Sequence, residues 1–208
     1  MNFFGHAVVA SWADPSPEHV LGSMLPDFEA MTRVPVLEVR DAAIENGIAT
    51  HHRTDEAFHH GQSFLRLSGW ALSTLSEAGV RRGTARAVAH IATEMFLDGH
   101  LVERGGRTTP YLSAIALESE QSIRWQDGGE AFDRLRERLN GWGVPADYAD
   151  PPFVFVRLRD VLDRRPRLAI QAGDAIQVAR CLPELQRRVG HQARELLDEL
   201  REALGFGT

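Results

Sequence analysis

Apolar side chains recur along most of this chain three and four residues apart, the period of an amphipathic helix, and Gly and Pro cut the pattern into segments. Residues 2–12 form a first helix or its approach. Asp14-Pro15-Ser16-Pro17 has the form of a capped helix start, with Pro in the first turn. That helix carries Val20, Leu21, Met24 and Leu25, and Pro26 is expected to disturb it just before Asp27. Glu38 to His60 reads as a longer helical stretch, with Gly47 as its weak point. Phe64 to Ala78 is amphipathic and ends at Gly79. Thr84 to Glu103 follows, with Val88, Ile91, Ala92, Met95 and Phe96 at core spacing.

Pro110 opens a helix expected to run through Ile123 and end near Trp125 and Gln126. Ala131 to Leu139 is charged and amphipathic, and Asn140 to Pro145 is a loop. Asp150-Pro151-Pro152 starts a segment to Leu162. Gln171 to Arg180 and Pro183 to Leu204 read as a final helix pair. Gly105-Gly106 and Gly128-Gly129 are turns. Strand signals are nearly absent, and the best is the short run from Pro152 to Arg157. No repeat, low-complexity tract or linker divides the chain. The expectation is one all-α helical bundle over residues 1–208.

Composition narrows the classes. A chain of 208 residues can bury a full core, and 43% hydrophobic with 25% charged content is ordinary for a globular protein. The net charge of −6 argues against a general nucleic-acid binder. All 23 basic residues are arginine, which excludes Schiff-base chemistry on a lysine and a lysine-bearing phosphate loop. A single cysteine, Cys181, forms no internal disulfide and fits a reducing compartment. There is no basic leader before the first apolar run, and no run approaches the roughly 20 apolar residues of a membrane helix. Together these features predict a cytoplasmic protein with no membrane partner.

The candidate chemistry is concentrated. Eight of the nine histidines lie in residues 1–100. His51, Asp55 and His59 are spaced i, i+4, i+8, so on a helix they share a face, with His52 at its edge. His90, Glu94 and Asp98 repeat that spacing, and Arg86 extends the row by one turn. One such row also serves as a solvated face. Two facing rows of imidazole and carboxylate are how helical proteins build metal or acid–base sites. Imidazole suits Zn, Fe, Cu and Ni, and carboxylate shifts the preference toward Mn and Mg. His6 sits in an apolar segment, where a histidine is commonly a hydrogen-bonded core residue, and Asp27 on its own fits a helix cap. There is no nucleophile elbow, nucleotide-binding loop or HExxH zinc motif.

These residues also resemble a known family. Met1-Asn2-Phe3-Phe4-Gly5-His6 is similar to the opening Met-Asn-Phe-Leu-Ala-His of the acyl carrier protein phosphodiesterases, all-helical relatives of the histidine–aspartate (HD) metal phosphohydrolases. Gly22-Ser-Met-Leu-Pro-Asp-Phe28 resembles that family's Gly-Asn-Leu-Leu-(Gly/Ala)-Asp-Phe, with Asp27 at the essential aspartate. Gly47-Ile48, His51 and Asp55 fit Gly-Ile-x-x-His-Arg-x-Ile-Asp. Arg86 to Leu101 fits a helix ending in Asp-x-x-x-Asp-His-x-Leu, with Glu94 and Asp98 at the acidic positions. Arg164-Arg-Pro-Arg-Leu168 matches a late turn. The match runs through nearly the whole chain in order. Three positions depart from it: Gly99 replaces the histidine of the Asp-His pair, His52 replaces an arginine, and His59 replaces a second aspartate.

The resemblance implies a distorted HD-like bundle and hydrolysis of a phosphodiester, in that family the link between 4′-phosphopantetheine and a carrier-protein serine. It implies a divalent metal (Mn, Mg or Fe) held by His6, Asp27, His51, Asp55 and Asp98. Asp27, His52, His59 and Glu94 are then candidates for catalysis or proton transfer, and Arg53 for the phosphate oxygens. An acidic carrier protein would dock on Arg81, Arg82 and Arg86, and a small phosphodiester is the other expected substrate. Two alternatives are a helical di-iron or other metal protein handling oxygen or redox chemistry, and a family member that has lost catalysis and acts by binding.

Overall fold

The computed structural model describes residues 1–105 and 108–206. Among them, nine α-helices, a 3₁₀ turn and two short strands follow in the order α1 (Phe3–Ala13), α2 (Pro17–Thr32), β1 (Val36–Val39), α3 (Ala42–His60), α4 (Gln62–Glu77), α5 (Arg82–Glu103), α6 (Thr108–Ala116), β2 (Ile123–Trp125), α7 (Glu130–Trp142), the 3₁₀ turn (Ala146–Ala149), α8 (Pro151–Leu162) and α9 (Ala172–Ala203). The chain is all-α, as its periodicity predicts. No helix among the described residues is long and apolar enough to cross a membrane. Of the expected Gly105-Gly106 turn, Gly106 lies outside the described residues.

The chain packs as two compact units. The first comprises Met1–Phe58, Gly105–Pro145 and the segment from Leu204, and the second His59–Arg104 and Ala146–Ala203. In the first unit α1 is apolar all round and is buried from Phe3 to Ser11, as such a helix must be. It packs on α2 and α6. Phe3 and Phe4 meet Tyr111 with ring centroids 6.1 and 5.2 Å apart. Phe28 of α2 meets Phe132 of α7, which stacks on Trp125. Strands β1 and β2 pair antiparallel, Val36 with Trp125 and Val39 with Ile123.

In the second unit α4, α5 and α9 pack on one another, and α8 lies on α5 and α9. Helix α9 buries one stripe, Val178, Leu182, Leu185, Val189, Ala193, Leu196 and Leu200. That spacing of three and four keeps 32 residues in a single helix.

Several expectations are corrected. Pro26 and Pro183 lie inside α2 and α9 without ending them. Each removes one ladder bond, but Leu25 and Phe28 beside Pro26 and Leu182 and Leu185 beside Pro183 are buried, and this packing keeps each helix continuous. Asp27 therefore stays in the helix. Helix α3 runs unbroken through Gly47. Glu38 lies in β1, and Ile123 and Trp125 lie in β2 instead of ending a helix. These strands have four and three residues and pair across most of the first unit, so neither has a local signal. The run from Pro152 to Arg157 is helical. Asp150 caps α8 by accepting a hydrogen bond from the Phe153 amide at 3.3 Å, and only Val154, Leu158 and Leu162 are buried, a helical period.

Candidate metal centre

The first cluster begins with a close helix crossing. A methyl group on Gly22 would overlap the Ile44 carbonyl, and one on Gly47 would overlap the His19 carbonyl and lie 2.8 Å from the Gly22 Cα. Only glycine at both positions lets α2 and α3 approach so closely. One turn after Gly47, His51 reaches back to α2, and its Nδ1 lies 2.9 Å from the Ser23 carbonyl oxygen. With Nδ1–H donating to Ser23, the Nε2 of His51 is the atom presented to the cluster.

His6, Asp27 and His51 come from α1, α2 and α3, and one ligand atom of each lies within 4.8 Å of the others. The His6 and His51 rings stack with centroids 3.8 Å apart. Asp55, one turn beyond His51, joins them. Its Oδ1 lies 3.1 Å from His6 Nε2 and accepts from the Met1 amino group at 2.7 Å, and its Oδ2 lies 3.7 Å from His51 Nε2. Among the described residues neither ring nitrogen of the buried His6 has an aligned hydrogen-bond partner, since the close Asp55 contact is off-line.

Burial pushes His6 down to about 3, with the neighbouring Met1 amino group and His51 adding to the shift against the opposing Asp55. Burial also lowers His51, partly offset by Ser23 and Asp55. Burial alone would raise Asp55, but the close His6 ring and the Met1 charge hold it well below the usual carboxylate range. Near neutral pH the cluster is two neutral imidazoles beside a carboxylate, the protonation state a metal requires of its ligands. The donor set and the orphaned nitrogens of His6 fit a divalent ion. His52 and Arg53 are exposed on α3. The His52 ring meets that of His51 edge-on at 5.4 Å, and Arg53 donates to Thr50 Oγ1 at 3.3 Å.

The row from His51 to His59 divides between two groups. His59, on the last turn of α3, groups in the second unit with His90 and Glu94 of α5. His59 Nε2 and His90 Nε2 lie 3.0 and 3.1 Å from the same Glu94 oxygen. Burial would raise the Glu94 carboxyl, but the hydrogen bonds from His59 and His90 help to hold it below the usual range. His90 shares a row with Glu94 in the sequence, but only the fold turns both imidazoles on one oxygen. Asp98 is fully buried on α5 and falls in neither group.

The three arginines separate as well. Arg82 and Arg86 are exposed and line a groove of about 640 Å3 with His59 and His90. Arg81 is tied to the buried Asp174. Its backbone and Nε hydrogen-bond the two oxygens of the buried Asp174 at 3.0 and 2.9 Å, and its Nη2 reaches the Ala169 carbonyl at 2.6 Å.

Compared with known protein families, with curated proteins and with solved structures, the chain matches none.

Gly99 lies in a tight contact. A methyl group there would overlap the backbone of Tyr148 and Ala149 and lie 2.7 Å from the Tyr148 carbonyl oxygen. The 3₁₀ turn packs directly on α5 at this point, so no imidazole fits at position 99.

Proposed function

We propose that the chain is a metal-dependent phosphoester hydrolase, with His6, Asp27, His51 and Asp55 holding a divalent ion. One observation carries the reading: three helices deliver His6, Asp27 and His51 to a common point, with the Nε2 of His51 directed there by Ser23. The motifs around these residues resemble those of acyl carrier protein phosphodiesterases, which makes the phosphodiester of a 4′-phosphopantetheine group the first substrate to test.

A bound divalent ion supplies Lewis acidity toward a phosphoryl oxygen and lowers the pKa of a bound water. The chain's residues do the rest. Asp27 and Asp55 supply negative charge beside two neutral imidazoles. The Ser23 carbonyl keeps the His51 ring in one tautomer and one orientation. Arg53, exposed on α3 between His51 and Asp55, offers two parallel N–H groups to non-bridging phosphate oxygens. His52 beside it has a ring suited to moving a proton at the leaving oxygen.

The test is metal analysis of the purified protein, followed by assay on bis(p-nitrophenyl) phosphate and on holo-acyl carrier protein. Bound metal together with metal-dependent turnover of either substrate is the expected result. Absence of bound metal after incubation with Mn, Fe and Zn would overturn the reading. Gly99 favours a second reading, a protein that binds the ion and a phosphate ligand without turnover, because the family's histidine has no room here. Metal binding with inert phosphodiesters would select it.

A further inference from the structure

The second cluster shares no residue with the first and is built differently. Both imidazoles converge on one carboxylate oxygen, His59 at 3.0 Å and His90 at 3.1 Å. Around a tetrahedral ion with metal–ligand distances of about 2.0–2.2 Å, ligand atoms lie roughly 3.3–3.6 Å apart. The two nitrogen–oxygen distances are a few tenths of an ångström short of that, and all three ligand atoms lie within 4.8 Å of one another. The rings are already oriented. They stack with centroids 4.9 Å apart, and Phe64 meets each edge-on at 5.3 Å. Glu94 is the buried anchor, with 12% of its side chain exposed against 45% for His90.

A second observation points to a ligand. His59 and His90 form part of the wall of the groove of about 640 Å3, which Leu65, Leu72, Val80, Arg82 and Arg86 also line. Two histidines and one glutamate with one side facing a groove is the composition of zinc sites that keep a position open for water or substrate, whereas closed structural sites use four protein ligands. Two imidazoles in a set of three also select zinc-like ions over Mg.

We propose that His59, His90 and Glu94 form a second divalent-cation site, for an ion of the zinc class, with an open coordination position facing the groove. Arg82 and Arg86 make the adjoining groove suited to an anionic ligand of that ion.

Hydrogen bonds alone also account for two histidines on one carboxylate, so the deciding measurement is stoichiometry. The metal-free full chain is titrated with Co2+, read by visible absorption, and with Zn2+, read by calorimetry. The wild type is expected to bind two equivalents. His90→Ala should lose one of them, or bind it at least tenfold more weakly, and His51→Ala should lose the other. His90 is partly exposed, with 45% of its side chain open to solvent, so its removal should leave the circular dichroism unchanged. If His90→Ala does not fold, His90→Gln replaces it. A wild type that binds one equivalent, lost in His90→Ala and kept in His51→Ala, would uphold this site and refute the first. Unchanged stoichiometry and affinity in the His90 variant would overturn the second site and leave the first standing.

Discussion

The Nδ1 of His51 lies 2.9 Å from the carbonyl oxygen of Ser23, and this bond exists because Gly22 and Gly47 let two helices nearly touch. The glycines set the distance between α2 and α3. That distance sets the reach of His51, and the hydrogen bond sets which of its nitrogens faces His6 and Asp27.

Gly47→Ala should therefore damage the cluster without altering any of its members. The added methyl would overlap the His19 carbonyl and force α3 outward. Overpacking of this kind costs about 1–3 kcal/mol. The expected outcome is a lowered Tm in calorimetry and at least tenfold weaker metal binding. A variant with wild-type metal affinity would show that the crossing does not control the site.

Asp27→Ala should abolish metal-dependent hydrolysis while the protein stays folded. Asp27 is only half-buried and sits in a helix that is continuous on both sides of it, and alanine is a good helix former. The Tm of the metal-free protein should change little, whereas stabilisation by added metal should be lost, because an ion bound to the native state alone stabilises it. Near-normal turnover would remove Asp27 from the site.

Arg81 and Arg82 are adjacent in sequence and should behave oppositely. Arg81→Ala removes the guanidinium from the buried Asp174 and leaves the backbone N–H bond in place, a loss of about 1–3 kcal/mol. Arg82→Ala, at an exposed position, should change stability by less than about 0.5 kcal/mol. Burial would raise the Asp174 carboxyl, but Arg81 holds it below its ordinary 3.8. A depressed carboxyl stabilises the fold fully above the ordinary value, and that stabilisation is lost as pH falls through the lower folded value. Urea unfolding should therefore show a gap between wild type and Arg81→Ala that is full at neutral pH and shrinks under strongly acid conditions. A gap that is constant with pH would contradict the ion pair.

Gly99→His, which puts a histidine where the motifs this chain resembles carry one, should not raise activity. The side chain would meet the Tyr148 and Ala149 backbone, and even Gly99→Ala should lower Tm by several degrees in thermal unfolding. A stable and more active Gly99→His protein would mean that the 3₁₀ turn moves aside easily.

The sequence by itself determined the helical class and most helix positions, because a buried stripe repeating every three or four residues is a local pattern. Gly79 and the Asp150-Pro-Pro start are read equally locally. It also placed His6, Asp27, His51 and Asp55 among the candidate ligands, since their spacing and the motifs around them lie within short segments. Only the tertiary structure decided the rest. Pro26 and Pro183 looked like breaks because a missing ladder bond is visible in sequence, whereas the packing that offsets it is not. The strands Val36–Val39 and Ile123–Trp125 exist only through each other. The row of His51, Asp55 and His59 looked like one site because helical spacing specifies a face. What stands opposite each turn of that face depends on the neighbouring helices, and they give His51 to His6 and Asp27 but His59 to Glu94 and His90.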